Sequence, residues 1–132
     1  MVKLCLMRNF YSYLVQKSAK SPLSILKHTY GYDQFRGQQA EIIDYIVGGG
    51  DAFVLMPTGS GKSLCYQIPA MCREGVGVVV SPLIALMQDQ ITALEQLGIA
   101  AGAINSGMPP AEVFHVKQKL EKNQLDLLYV AP

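Results

Sequence analysis

The stretch Asp51-Ala52-Phe53-Val54-Leu55-Met56-Pro57-Thr58-Gly59-Ser60-Gly61-Lys62-Ser63 limits what this chain can fold into more than any other. Its first half is apolar and rich in β-forming side chains, and reads as a buried strand. It breaks at Pro57, which has no backbone N–H to give a ladder. A turn follows, with Gly59 and Gly61 on either side of Ser60, and Lys62-Ser63 open a segment of helical pattern that runs to about Met71. Strand, glycine turn and helix in that order make an anion cradle. Glycines let backbone N–H groups turn inward, and the positive end of the helix faces the anion. In such a cradle Lys62 reaches the β- and γ-phosphates of a nucleotide and the Ser63 hydroxyl ligates Mg²⁺. Met56 stands where the general phosphate-loop pattern wants a glycine, so the version present is the narrower Pro-Thr-Gly-x-Gly-Lys-Ser.

The rest of the chain supplies the partners such a strand and helix need. With 132 residues, half of them hydrophobic and 16% charged, it is long enough for one domain with its own core. The net charge of +1 gives no global basic field, so composition alone does not point to nucleic acid. Lys3, Arg8, Lys17, Lys20 and Lys27 all precede the first acidic residue, Asp33. Residues 1–20 therefore read as a basic N-terminal extension, open to disorder or to use as a transit peptide. No segment is apolar enough to span a bilayer. Cys5, Cys65 and Cys72 show no CxxC pair or metal spacing, which favours reduced thiols in a cytoplasmic setting. Cys65 and Cys72 lie seven apart on one expected helix and read as small buried hydrophobes.

Ser21-Pro22 is a helix-start signal, with Leu23, Leu26 and Tyr30 on one face and Gly31 as the stop. A second helix carries Ile42, Ile43, Ile46 and Val47 and ends at Gly48-Gly49-Gly50. After the phosphate loop, Val76, Val78, Val79 and Val80 form a run without polar alternation, the pattern of a strand buried on both faces. Ser81-Pro82 restarts a helix bearing Leu83, Leu86, Ile91, Leu94 and Leu97, with Leu86 and Ile91 expected in the core. A short strand at about Ala100–Ile104, a helix with Val113, Val116 and Leu120, and a strand at Leu125–Val130 complete the alternation. That order predicts an α/β layer with a mostly parallel sheet and flanking helices. Ligands in such layers bind beyond the carboxyl ends of the strands.

Three blocks taken together resemble the RecQ family of superfamily 2 DNA helicases. They are Gly31-Tyr32-Asp33-Gln34-Phe35-Arg36-Gly37-Gln38-Gln39, Leu55 through Ala70 with its Leu64-Cys65-Tyr66-Gln67-Ile68-Pro69 tail, and Val79 through Gln90. The likeness continues through Asn105-Ser106 to Leu128-Tyr129-Val130-Ala131-Pro132 and covers roughly residues 22–132. It implies a RecA-like phosphate-loop NTPase layer, the first motor lobe in incomplete form over residues 21–132. It also implies ATP with Mg²⁺ as cofactors and single-stranded or partly duplex DNA as partner, in the cytoplasm or on a bacterial nucleoid.

The resemblance assigns roles by position. Tyr32 stacks on adenine, Arg36 adds a guanidinium, and Gln39 pairs with the base edge, for which an amide has both donor and acceptor. The common family form has Pro-Gly-Gln after Phe-Arg, and the spacing to Ile42 makes Gln39 rather than Gln38 the matching amide. Thr58, Gly59, Ser60, Gly61, Lys62 and Ser63 hold the phosphates, with Lys62 and Ser63 closest to the chemistry. Ser81, Pro82, Gln88, Gln90 and Asn105 resemble positions that touch the DNA backbone, where hydroxyl and amide donors suit phosphate oxygens. A plain Asx turn is the rival reading of Asn105.

The family hydrolyses ATP with an Asp-Glu-x-His box, and no Asp-Glu pair occurs in these 132 residues. The expectation is therefore an ATP-dependent 3′→5′ DNA helicase type, of which this chain is a fragment that binds ATP and contacts single-stranded DNA without unwinding alone. A non-catalytic nucleotide-binding module, or a truncated gene remnant, is the alternative.

Overall fold

The structure is a computed structural model that describes residues 20–132 in full and residues 3–6 as backbone. The remainder of the expected N-terminal extension lies outside the described residues. In chain order the elements are β1 Lys3–Leu6, α1 Pro22–Ile25, a π-helical turn Leu26–Tyr30, α2 Gln39–Val47, α3 Leu64–Cys72, β2 Gly77–Val80, α4 Ile84–Gln96, β3 Ala101–Ile104, α5 Pro110–Glu121 and β4 Leu127–Val130. They fall into two units. One joins β1 to Gly75–Pro132, and the other ends at Glu74 and holds α1, the π turn, α2, the glycine loop and α3.

The first unit is the expected α/β layer. Its sheet runs β1-β2-β4-β3, with β2, β4 and β3 mutually parallel and β1 antiparallel on the edge of β2. Helical crossovers α4 and α5 join β2 to β3 and β3 to β4, as parallel pairing demands. The strand buried on both faces is β4, where Leu127, Leu128 and Tyr129 are nearly inaccessible. The expectation placed that role on the valine run of β2, but there Val79 is buried and Val80 opens to solvent. Both strands are interior in the sheet, so the difference lies in how their faces are covered and not in ladder pairing.

Asp126 pins the start of β3 to β4. Its carboxylate accepts from Ala100 N–H at 3.1 Å, while its own N–H donates to the Ala100 carbonyl at 2.8 Å. On α4 the buried stripe is Met87, Ile91 and Leu94, at spacings of four and three. Leu86, expected in the core, is 47% exposed because it lies a fifth of a turn or more off that stripe, and Leu83 and Leu97 are exposed as well.

The second unit is helical. Ser21 caps α1 by accepting from Ser24 N–H at 3.2 Å, with Pro22 at the first helical position, as its sequence signal requires. The following turn widens to π geometry and closes on Gly31, whose φ of +76° is the left-handed stop. Ile25, Leu26, Ile43 and Ile68 form the core, with Tyr30, Phe35, Val47, Leu64, Met71 and Cys72 packed around it. Fully burying side chains of this size contributes about 1.5–3 kcal/mol each. Of the expected α2 face, Ile43 and Val47 meet this core, while Ile42 and Ile46 are only half-buried. Cys65 is buried, as expected, while Cys72 is only partly covered.

The run at 51–57 departs from its reading. It has no strand hydrogen bonding, and Phe53 and Leu55 are 76% and 83% exposed. A strand exists only through pairing. Among the described residues, the helical unit that carries this run offers it no neighbouring strand.

Candidate functional site

The glycine loop follows directly from the local sequence. Ser60 N–H donates to the Pro57 carbonyl at 3.3 Å, and the Ser60 hydroxyl donates to the same oxygen, closing a tight turn. Gly59 and Gly61 hold φ of +81° and +78°, a region that costs a side chain roughly 1–2 kcal/mol, so both positions need glycine. Helix α3 starts at Leu64, slightly later than the sequence suggests, with Lys62-Ser63 forming the turn that leads into it. Leu64 N–H donates to the Gly61 carbonyl at 3.2 Å and Cys65 N–H to the Lys62 carbonyl at 3.0 Å.

The next groups back along the chain are open. Among the described residues, the N–H groups of Gly61, Lys62 and Ser63 donate to nothing in the protein. Three consecutive free donors at the positive end of a nine-residue helix form a nest for an anion. Lys62 is exposed and Ser63 half-buried beside them. Among the described residues no three His, Cys, Asp or Glu side chains are grouped closely enough to hold a metal ion.

The connector brings its three expected residues to this unit. Arg36 lies over the Tyr32 ring at 5.9 Å from the centroid, and Tyr32 is half exposed. The guanidinium therefore covers one face of the aromatic ring, while half of the Tyr32 side chain stays open to solvent. Tyr32 itself is placed by its N–H donating to the Leu26 carbonyl at 3.2 Å across the π turn. Tyr30, two residues earlier, donates its hydroxyl to Gln67 Oε1 on α3 at 3.0 Å, which ties the connector to the helix that follows the loop.

Gln39 is only 3% exposed. Its Oε1 accepts from Arg36 N–H at 2.9 Å, and its Nε2 donates to the carbonyls of Ser60 at 3.3 Å and Gly61 at 3.2 Å. The sequence singled out this glutamine for a base. Its joining of connector and glycine loop has no signal in periodicity or motif, because it depends on a contact across 21 residues.

The other expected residues belong to the sheet unit. Ser81 is nearly buried; its N–H extends the β2–β4 ladder to Val130, and its hydroxyl accepts from Leu83 N–H at 3.3 Å. Pro82 is exposed next to it. Asn105 follows β3 and accepts from Gly107 N–H at 2.9 Å, an Asx turn. Because β2 and β3 are parallel to β4, Ser81 and Asn105 stand at the same, carboxyl end of the sheet. Gln88 is exposed on α4 and Gln90 half-buried.

The DEAD/DEAH box helicase family model matches residues 36–132. The ATP-dependent DNA helicase RecQ of Haemophilus influenzae is 48% identical over 121 residues, covering 90% of this chain and 20% of its own length. The RecQ helicase of Bacillus subtilis is 44% identical over 110 residues, covering 83% of this chain and 19% of its own. The chain thus spans about a fifth of the curated relatives it matches. Among solved structures, the DUF1998 helicase MrfA bound to DNA and AMPPNP superposes with a TM-score of 0.65 at 21% identity, over 100% of this chain and 19% of that one. A hypothetical ATP-dependent RNA helicase from Sulfolobus tokodaii gives 0.59 at 21% identity, over 84% and 33%. These two establish the RecA-like helicase fold. The chain belongs to the DEAD/DEAH box helicase family, and within it its sequence is similar to the RecQ helicases.

Proposed function

We propose that this chain is the nucleotide-binding part of the first motor lobe of a RecQ-type, ATP-dependent DNA helicase. One observation carries the reading: the nest of free Gly61, Lys62 and Ser63 N–H groups at the start of α3, with Lys62 beside it. That arrangement suits a polyphosphate. Lys62 would neutralise the β- and γ-phosphates, and the Ser63 hydroxyl would help hold a Mg²⁺ that supplies charge neutralisation there. Thr58, Gly59 and Ser60 complete the loop around the phosphates. The exposed Tyr32 ring would stack on adenine, with Arg36 beside it and Gln39 as the amide for the base edge. The Asn105, Ser81 and Pro82 end of the sheet, with Gln88 and Gln90 on α4, contacts the backbone of single-stranded DNA through neutral donors. In the whole protein, ATP turnover on this lobe drives strand separation.

Calorimetric titration of the purified chain with ATP and Mg²⁺ tests the reading. Binding is expected, and Lys62→Ala is expected to abolish it while leaving the far-UV circular dichroism unchanged. A folded chain that takes up no ATP, or a Lys62→Ala variant that binds as well as wild type, would refute it.

A further inference from the structure

We propose that Gln39 is a positioning residue for the phosphate cradle: its side-chain amide holds the loop so that the cradle's N–H groups face the ligand. The inference rests on the nucleotide-binding reading and adds to it a role that no base contact requires.

In a trans peptide the C=O of one residue and the N–H of the next point in opposite directions. No cis peptide occurs among the described residues. The Ser60 carbonyl shares its peptide with the Gly61 N–H, and the Gly61 carbonyl shares its peptide with the Lys62 N–H. Gln39 Nε2 draws both carbonyls to itself, at 3.3 and 3.2 Å. The two N–H groups are thereby turned to the opposite side, and these are two of the three that find no partner in the protein.

The anchor is itself fixed. Arg36 N–H donates to Oε1, which leaves the amide a single orientation, with both Nε2 hydrogens directed at the loop. Burial of Gln39 to 3% exposure gives those hydrogens no competing water. The fit is close, because a Cβ built on Gly61 would run into Nε2. With both donors committed, base reading and cradle support compete for the same amide. The orientation of the cradle is what the described conformation favours.

Inorganic tripolyphosphate with Mg²⁺ isolates the role, since it carries phosphates and no base. Titrated against the full chain, Gln39→Met keeps the length of the side chain without its donors and is expected to weaken tripolyphosphate about tenfold. Gln39→Ala is expected to weaken it at least as much. Tripolyphosphate binding both variants as tightly as wild type, with only the ATP-over-GTP preference altered, would overturn the proposal and leave the nucleotide-binding reading standing. Wild type that binds neither tripolyphosphate nor ATP would overturn both. A measurement on wild type alone guards against variants that misfold: the Gln39 side-chain amide protons are expected to exchange with solvent at least tenfold more slowly than those of exposed Gln88. Equal rates would refute the anchoring.

Discussion

Replacing Gly61 with alanine should be more damaging than the same change at Gly59, and the difference can be traced to one side chain. Both glycines sit near φ +80°, so each substitution carries backbone strain of roughly 1–2 kcal/mol. At Gly59 that is all, because a Cβ there meets nothing within 4 Å. At Gly61 the new Cβ collides with Gln39 Nε2 and displaces the amide from the Ser60 and Gly61 carbonyls. Two hydrogen bonds of about 0.5–1.5 kcal/mol each are then lost. Gly59→Ala should therefore cost about 1–2 kcal/mol and Gly61→Ala roughly 2–5 kcal/mol.

Urea unfolding followed by far-UV circular dichroism measures both, which suits a chain with no tryptophan. The sharper test is a double-mutant cycle. Gln39→Ala alone removes the same bonds, so its combination with Gly61→Ala should cost about 1–3 kcal/mol less than the two changes summed. Gln39→Ala combined with Gly59→Ala should be additive. A Gly61→Ala cost equal to that of Gly59→Ala, or additivity of Gly61→Ala with Gln39→Ala, would refute the coupling.

Three further outcomes are expected. Ile68→Ala empties the centre of the helical unit, where Ile68 is fully buried, and should cost about 2–5 kcal/mol; a change in melting temperature under about 4 °C would contradict that packing. Burial, with the Asp44 carboxylate adding to it, pushes the Cys72 thiol up to about 11 from 9.0. The folded state then holds its proton more tightly than the unfolded chain. Stability from this group is intact below about pH 9 and falls as pH rises towards 11, and Cys72→Ala should flatten that slope in urea melts at successive pH values. Tyr32→Ala should weaken ATP about tenfold through lost stacking and leave tripolyphosphate unaffected; equal losses on the two ligands would remove Tyr32 from the base.

Most of the fold can be read locally, and the failures share a cause. Ser21-Pro22 and Gly31 mark their helix because capping and left-handed geometry act within four residues. The face of α2 around Ile43 and the crossovers between parallel strands follow from periodicity and from the order of elements. The reading fails where a residue's fate depends on distant chain. Phe53 and Leu55 have strand composition, but composition cannot supply the neighbour a strand must pair with. The valine run of β2 is less covered than β4, and its composition does not reveal which segments pack over its faces. Lys3–Leu6, read as part of an extension, pairs with β2 across more than seventy residues. In the candidate site, residue types at the glycine loop announce phosphate chemistry, whereas the bond from Gln39 to that loop exists only in three dimensions.

The open run from Ala52 to Met56 also bears on how the molecule behaves in company. Five uncharged, apolar residues in a row, with Phe53 and Leu55 facing water, have the composition of segments that stack into intermolecular cross-β ladders. Asp51 on one side and Pro57 on the other act as gatekeepers. The first brings like-charge repulsion to each added layer, and the second has no N–H to continue a ladder. Colloidal stability of this chain therefore draws on two exposed flanking residues that lie outside its core.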